Sequence, residues 1–374
     1  MACRHGAHTG IHARRAYEYR KRTSLPAVRH DPVNIGAGIA IASVAGVMNG
    51  LFPLPMKANK VWAWENNWLP FSFLSLALFP GIIAWYTVPY LPAALQHASA
   101  ADIAAAMICG ALVYTGSLLF GISIAYAGLT LSFALLVGSM NAVGILVPRL
   151  LLNHSLLGST ADGLVLAGVA LSTISVVLGF LAGKWKKRNQ EDVAQTPSKR
   201  ILGSILATLG GVLSGFLPVA MAMPWEHRLF SAAIHYGGAS SVGASNAVLS
   251  LILFGGAIPN CSYCIYLLWK NRTSRHYRAH SYYLYWVFVF AMAILYSASV
   301  ALWGVAISPS LLGILGTSVG WALFVGMIVM SSTAAGLLEG EWKQAGTNAC
   351  TALTGSLACL LSSMVLICIG NYYK

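Results

Sequence analysis

Charged residues are scarce in this sequence. Only 9% of the 374 residues are Asp, Glu, Lys or Arg, and 57% are hydrophobic. A soluble domain has about 25% charged residues, so the composition excludes a water-soluble globular chain and predicts a membrane protein. A spanning helix takes about 20 apolar residues. The chain therefore has room for about ten such helices, and little remains for a soluble domain.

Cysteine is infrequent and forms no framework. Most of the seven cysteines fall inside apolar runs, where Cys packs as a small, soft residue. Cys261 and Cys264 form a C-x-x-C pair, but a metal or redox site would need further ligands. The sequence therefore predicts no disulfide framework, no metal site and no cofactor.

Acidic residues are the scarcest charged group: there are ten, against 23 basic residues, and none lies in the middle of a predicted helix. No cluster of Asp, His and Glu faces a common cavity, which argues against an enzyme. The basic residues concentrate in segments 4–29, 184–200 and 270–278. They indicate membrane topology rather than a nucleic-acid surface, which would need basic residues and stacking aromatics on one folded face.

Apolar runs predict an all-α polytopic membrane protein in which residues 1–33 form a basic, disordered tail. The loops that follow odd-numbered helices carry 13 basic residues and the remaining loops and C-terminus carry three, which predicts that the odd loops are cytoplasmic. The seven basic residues of the tail argue for the opposite orientation. The ten predicted helices are 34–56, 68–90, 101–126, 130–151, 162–183, 201–223, 242–268, 283–306, 309–335 and 346–370.

Two internal matches divide the chain into repeats. A shift of 165 residues places Gly46 and Pro53 on Gly211 and Pro218, and a shift of 176 places the turn after the third helix on the turn after the eighth. Because each repeat would hold five helices, an odd number, the second must be inverted relative to the first. Inverted repeats are typical of secondary transporters. The predicted units are repeat one at 34–183, a basic cytoplasmic loop at 184–200 and repeat two at 201–374.

A proton-coupled carrier needs a titratable group in a partly apolar setting. Trp64-Glu65 and Trp225-Glu226 recur after the first and sixth helices, and Glu341 precedes a tryptophan. On the alternative interpretation these pairs belong to an aromatic belt and anchor helix ends. If they couple transport to protons, Glu65→Gln or Glu341→Gln should abolish uphill accumulation and spare exchange. The candidates for proton coupling are Glu65, Glu341, Glu226 and His227, followed by His235.

No helix carries Arg or Lys at its centre, which favours a neutral solute over a phosphorylated or carboxylate substrate. A carrier for a neutral sugar would use hydroxyls, amides and aromatic faces. Asn49 and Ser214 occupy equivalent positions in the two repeats. The candidates for substrate binding are Asn49, Ser214, Tyr126, Asn141, Asn260, Trp303 and Trp321, with Tyr114, Ser139, Asn246, Tyr263 and Tyr296 as further intramembrane polar or aromatic residues.

The segment from Pro55 to Trp68 resembles the L-rhamnose/proton symporter family of the drug/metabolite transporter superfamily, in its Pro, two spaced lysines and Trp-x-Trp-Glu-x-x-Trp pattern. Further matching stretches begin at Gly116, Gly255 and Trp321, and the resemblance spans roughly 34–370. Departures include the basic tail, the order Glu226-His227 and the apolar Phe324. The resemblance implies proton-driven sugar uptake.

We therefore predict a carrier in the bacterial inner membrane that imports a neutral deoxy-sugar, such as L-rhamnose, by alternating access. Its partners would be the sugar, protons and membrane lipid, and its energy source the proton gradient. A metabolite or drug exporter of the same superfamily would expel solute from energised vesicles instead. A sugar-sensing membrane receptor would bind ligand without exchanging it.

Overall fold

Ten long helices make up the structure, a computed structural model that describes residues 34–59, 61–127, 129–151, 159–186, 197–278, 283–312, 316–340, 342–343 and 345–372. The described residues contain no strand, and all ten predicted spans are confirmed as helices long and apolar enough to cross a membrane. The predicted tail at 1–33 lies outside the described residues. The helices are α1 (Ile35–Leu51, continued by Leu54–Lys57), α2 (Trp64–Phe73, Leu74–Leu78 and Phe79–Thr87), α3 (Ala100–Ala127), α4 (Leu129–Leu151), α5 (Thr160–Lys186), α6 (Pro197–Ser214, continued by Phe216–Ala220), α7 (Ser241–Asn271), α8 (Tyr283–Ala306), α9 (Gly316–Gly320 and Trp321–Leu338) and α10 (Thr347–Tyr372).

Several helix ends differ from the prediction. Helix α2 begins at Trp64 instead of residue 68, which places Glu65 in its first turn, where a carboxylate suits the helix dipole. Helix α9 begins at Gly316 instead of residue 309, because Ser308 and Leu312 belong to a hydrogen-bonded turn. Helix α5 extends to Lys186 and α6 begins at Pro197, so both enter the predicted loop at 184–200.

Two short helices were not predicted: Leu91–His97 precedes α3, and Pro224–His235 precedes α7. Each has a proline in its first two positions. The N–H groups there have no acceptor within the helix, so the N–H that proline lacks costs no helical hydrogen bond. The second short helix matters for the site because it carries Glu226, His227 and Arg228.

The two predicted repeats pack in an exchanged pattern, in which helices of one repeat contact helices of the other. Helix α1 packs on α8 and α9, α6 packs on α3 and α4, and α5 packs on α10. Helix α7 contacts α2, α3 and α8. It is the most enclosed of the described spans: 72% of the residues in its most apolar stretch are buried, against 28–44% in the other nine. Helix α7 is therefore the central helix of the bundle.

Matched glycines bring the helices of this pattern together. Gly46 of α1 faces the backbone of α9 at Phe324, and Gly211 of α6 faces the backbone of α4 at Leu136. A Cβ at either glycine would collide with a carbonyl oxygen, as expected where small residues let membrane helices approach closely. Helix α1 is interrupted at Phe52 and α6 at Gly215, so both helices of this repeat-related pair are broken near their ends.

The crossing of α3 and α7 provides a stability test. A Cβ at Gly110 would meet the backbone of α7 at Ile252, so we expect Gly110→Ala to force the helices apart and to destabilise the protein by about 1–3 kcal/mol. Gly121→Ala, on the same helix, meets no atom within 4 Å and should be neutral or stabilising by about 0.5–1 kcal/mol. Thermal unfolding in detergent checks both variants; equal melting temperatures would contradict this packing argument.

Candidate functional site

One face of α8 lines the interior of the bundle with hydroxyl and aromatic groups. Tyr296, Ser299 and Trp303 are three and four residues apart, so they lie on the same side of the helix. Ser299 and Trp303 are completely buried, and Tyr296 is partly buried. At about 1.5 Å per residue, Tyr296 and Trp303 are about 10 Å apart along the helix. This face therefore carries hydroxyl and aromatic groups of the kind that bind a neutral sugar.

Tyr296 belongs to a hydrogen-bonded network that we call the amide network: Trp68, Tyr114, Asn260 and Tyr296. The hydroxyls of Tyr114 and Tyr296 are 2.6 Å apart. Asn260 Nδ2 donates to the Tyr114 carbonyl oxygen at 3.3 Å, and Asn260 Oδ1 accepts from Trp68 Nε1 at 3.3 Å. The network joins α2, α3, α7 and α8, and includes the predicted residue Asn260.

Aromatic rings surround the amide network. Phe52 stacks on Phe71 with ring centroids 5.3 Å apart, and both rings meet Tyr296 edge-on at 5.1 and 5.5 Å. Trp68 packs on Phe71 at 4.9 Å. Such faces can cover the apolar side of a sugar ring.

The two repeat-related polar candidates lie in different contacts. Asn49 Nδ2 of α1 donates to Ser299 Oγ at 2.8 Å, which places Asn49 on the α8 face between Tyr296 and Trp303. Ser214 Oγ of α6 lies 3.5 Å from the Val113 carbonyl oxygen of α3 and packs against Gly116. Each residue thus joins its helix to one in the other predicted repeat, but only Asn49 reaches α8.

At the other end of the α8 face lies the indole cluster: Trp303, Trp321 and Phe324. The two indoles meet at 5.6 Å and 70°, and Phe324 packs on them at 6.0 and 5.8 Å. Both tryptophans are buried, and among the described residues neither indole N–H has an acceptor. Gly144 of α4 leaves the space that the Trp321 ring edge occupies. The structure therefore brings the predicted residues Trp303 and Trp321 together.

The remaining two substrate candidates have other neighbours. Asn141 Nδ2 donates to Ser172 Oγ of α5 at 2.6 Å, while Asn141 Oδ1 has no partner among the described residues. It lies one turn from Gly144 on α4. Tyr126 lies near the end of α3, where its Cβ packs close to Gly203 of α6.

Glu65 joins the start of α2 to the end of α7. It is 4% exposed, and its Oε1 accepts from Asn271 Nδ2 and from Thr273 Oγ1, both at 2.9 Å. The adjacent Asn66 Nδ2 donates to the Thr273 carbonyl oxygen at 3.0 Å. These bonds supply the helix-end anchoring that the alternative interpretation predicted.

Glu226 has a different environment in the short helix outside the membrane spans. It is 6% exposed, and this burial raises the pKa of its carboxyl group to about 7. Its neighbour is His227, whose Nδ1 lies 3.3 Å from Glu226 Oε2 and whose side chain is largely exposed. A carboxyl group with a pKa near 7 can gain and lose a proton in the physiological range.

Beside Glu226 lies an ion pair that sequence reasoning missed. Arg228 Nε and Nη2 donate to the two Asp102 oxygens at 2.8 and 2.6 Å, and this carboxylate raises the pKa of the guanidinium. Asp102 and Arg228 are 126 residues apart in the sequence, so no local pattern could link them. Ser299 and Trp68 were also missed as site residues, and Glu341 lies outside the described residues.

Two further observations limit the candidates. In the described part of the chain, no group of three His, Cys, Asp or Glu residues could hold a metal ion. An apolar cavity of about 140 Å³ lies between α2, the two short helices and α7, with Leu95, Ala233 and Phe254 among its walls. Its lining is apolar except for Ser250, whose hydroxyl already donates to the Pro80 and Asn246 carbonyl oxygens, so it suits a sugar less well than the face of α8 does.

Comparison with known proteins adds to this geometry. The family model of the L-rhamnose-proton symport protein (RhaT) matches residues 33–371. The L-rhamnose-proton symporter of Cronobacter sakazakii is 25% identical over 346 residues, 87% of this chain and 94% of that protein. The one of Yersinia pestis is 27% identical over 230 residues, 61% of this chain and 66% of that protein. A solved crystal structure superposes with a TM-score of 0.55 at 13% identity, covering 91% of this chain and 99% of the other, which shows a shared fold alone.

Proposed function

Because this chain belongs to the L-rhamnose-proton symport protein family, we propose that it imports L-rhamnose or a related neutral deoxy-sugar together with protons. The family is one of multi-pass membrane transporters, and symport implies use of a proton gradient. The observation that carries the choice of a neutral sugar is the α8 face, where buried hydroxyl, amide and indole groups lie beside aromatic rings without a fixed charge. The bacterial inner membrane is the proposed location.

The proposed sugar site extends from Tyr296 to Trp303. Asn49 and Ser299 would exchange hydrogen bonds with sugar hydroxyls, and the indole N–H groups of Trp303 and Trp321 would donate to others. A buried donor without an acceptor costs about 1–3 kcal/mol, so a ligand that supplies acceptors binds here favourably. Asn260 positions Tyr114 and Trp68 at the Tyr296 end of this site. Asn141, Tyr126 and Ser214 are proposed as helix-packing residues.

We assign proton coupling to Glu226 in the first place. Its burial and its pKa of about 7 support reversible protonation during transport. His227, exposed and 3.3 Å away, offers a path for the proton to water. Glu65 ranks second, below Glu226, because two hydrogen bonds hold its carboxylate at a helix junction and favour a structural role. Glu341 stays a prediction from the sequence.

Alternating access between two inverted halves, residues 34–183 and 201–374, completes the proposal. The support is the exchanged packing, in which α1 contacts α8 and α9 as α6 contacts α3 and α4. The glycine contacts repeat this correspondence, since Gly46 approaches α9 as Gly211 approaches α4. Rocking of such halves about a site between them would expose α8 to each side in turn.

Proteoliposomes test the function. We expect an inward proton gradient to drive accumulation of labelled L-rhamnose, and collapse of the gradient by a protonophore to abolish it. Sugar expelled from energised vesicles would identify an exporter instead. Binding without counterflow would identify a receptor, and a lack of both binding and transport for a panel of neutral deoxy-sugars would overturn the proposal.

A further inference from the structure

A dense group of cations lies at the membrane edge between α7 and α8. Lys270 is in the last turn of α7, Arg272 ends that helix in a left-handed conformation with φ 54°, and Arg275 and Arg278 follow in the 3₁₀ helix Thr273–Arg278. All four side chains are exposed. We call these four residues the basic patch.

No acidic side chain neutralises the basic patch within the part of the chain that the structure describes. Lys270 Nζ lies 5.7 Å from the centre of the Tyr266 ring, and the three arginines make no ion pair within the described residues. The nearby carboxylate of Glu65 is buried and accepts from Asn271 and Thr273 instead. Arg228 at its site, by contrast, is paired with Asp102. The positive potential of the patch is therefore available to an external anion.

The basic patch is held in a fixed conformation. Tyr277 Oη donates to the Asn66 carbonyl oxygen at 3.0 Å, and Asn66 Nδ2 donates to the Thr273 carbonyl oxygen at 3.0 Å. The Tyr277 ring meets Trp62 edge-on at 5.2 Å. The cations are thus carried by an ordered element docked on the start of α2, so less conformational freedom is lost when they bind a ligand than in a flexible basic loop.

Exposed aromatic residues place the patch at the depth of lipid headgroups. Trp269 is 78% exposed and Tyr283 70% exposed, one on each side of the patch in the sequence. Exposed Trp and Tyr at helix ends are typical of the membrane interface. A ligand reaching this position would come from the bilayer, with its acyl chains beside α7 and α8.

We propose that the basic patch binds the phosphate-bearing headgroup of an anionic phospholipid. Clusters of at least four Lys and Arg directly beside a spanning helix attract such headgroups, at about 1 kcal/mol for each cation near the surface. A signal for membrane insertion alone needs the charges but not the ordered, unpaired arrangement seen here. The inference is independent of which solute the protein carries.

The test compares binding of phosphatidylglycerol and phosphatidylcholine, with identical acyl chains, to the full-length purified protein by native mass spectrometry. We expect the wild type to prefer phosphatidylglycerol. The variant Lys270→Gln/Arg275→Gln/Arg278→Gln should bind it about a hundredfold more weakly, at roughly fivefold for each cation. Phosphatidylcholine binding should not change. The matched control, Lys184→Gln/Lys199→Gln/Arg200→Gln, removes three exposed cations elsewhere and should retain the preference.

Three results would overturn the proposal: no lipid preference in the wild type, an equal loss in the control variant, or displacement of phosphatidylglycerol by millimolar inorganic phosphate. Near-UV circular dichroism establishes that the variants are folded. If the triple variant does not fold, the wild type is tested alone with and without salt. About 0.5 M KCl should screen the charges of the basic patch, so it should weaken the binding of phosphatidylglycerol but not that of phosphatidylcholine. Binding that salt does not weaken would exclude the headgroup contact.

Discussion

Replacing Glu226 by Gln is expected to abolish proton-driven accumulation of sugar while leaving sugar binding and counterflow intact. Gln keeps the size of the side chain but cannot exchange a proton, so sugar movement is no longer linked to the gradient. The internal concentration should then rise only to the external one. Uptake of labelled L-rhamnose into proteoliposomes with an imposed pH gradient measures the first property, and counterflow without a gradient measures the second.

The pH dependence gives an independent readout. With a pKa of about 7, Glu226 is protonated at about pH 6 and ionised at about pH 8, so cotransport should fall across this range and the Gln variant should not show this dependence.

Stability should also depend on this group. As pH rises from the ordinary carboxyl pKa towards 7, the unfolded chain loses this proton before the folded protein does. Ionisation therefore lowers stability, and the Gln variant should melt no lower than the wild type at alkaline pH.

Glu65→Gln is the matched comparison. If Glu65 couples transport to protons, this variant also loses accumulation; if Glu65 only anchors a helix end, uptake changes little. In the structure Glu65 Oε1 accepts two hydrogen bonds, and the amide oxygen of Gln can still accept them. If only Glu65→Gln uncouples transport, the assignment of Glu226 is overturned. If both variants accumulate sugar as the wild type does, coupling must be sought at His227, His235 or Glu341.

Trp303→Phe is expected to weaken sugar binding by about 5- to 150-fold. Phe keeps an aromatic ring but removes the buried N–H, and a hydrogen bond lost to a ligand at such a position costs about 1–3 kcal/mol. Counterflow over a range of sugar concentrations measures the change as a higher half-saturation concentration. Coupling to protons should remain, because Glu226 is in a different part of the protein.

Trp286→Phe on the same helix is the control. Trp286 is 43% exposed, so its replacement should leave sugar affinity unchanged. Because Phe is smaller than Trp, the Trp303 variant also leaves space in the core, and its melting temperature must be compared with that of Trp286→Phe. Unchanged sugar affinity in a folded Trp303→Phe protein would exclude the indole cluster from the sugar site.

The sequence alone was sufficient to predict the ten membrane spans. In lipid every backbone polar group must be satisfied within the protein, so each apolar run of sufficient length must form a helix. This constraint is local, and it made the predicted helices largely correct despite errors of several residues at their ends. The ends of α2 and α9 were missed because capping turns and the dipole contribution of Glu65 decide them, rather than hydrophobicity.

Tertiary structure decided which polar residues meet. Tyr114 and Tyr296 are 182 residues apart in sequence, and Asn49 and Ser299 are 250 apart, yet both pairs are hydrogen-bonded. Burial of Glu226, which gives its carboxyl group a pKa near neutrality, likewise depends on how its short helix docks. The rotation and tilt of each helix follow from close packing at glycine contacts between distant segments. An apolar run specifies that a helix crosses the membrane, but the partner helix determines which of its side chains face the interior.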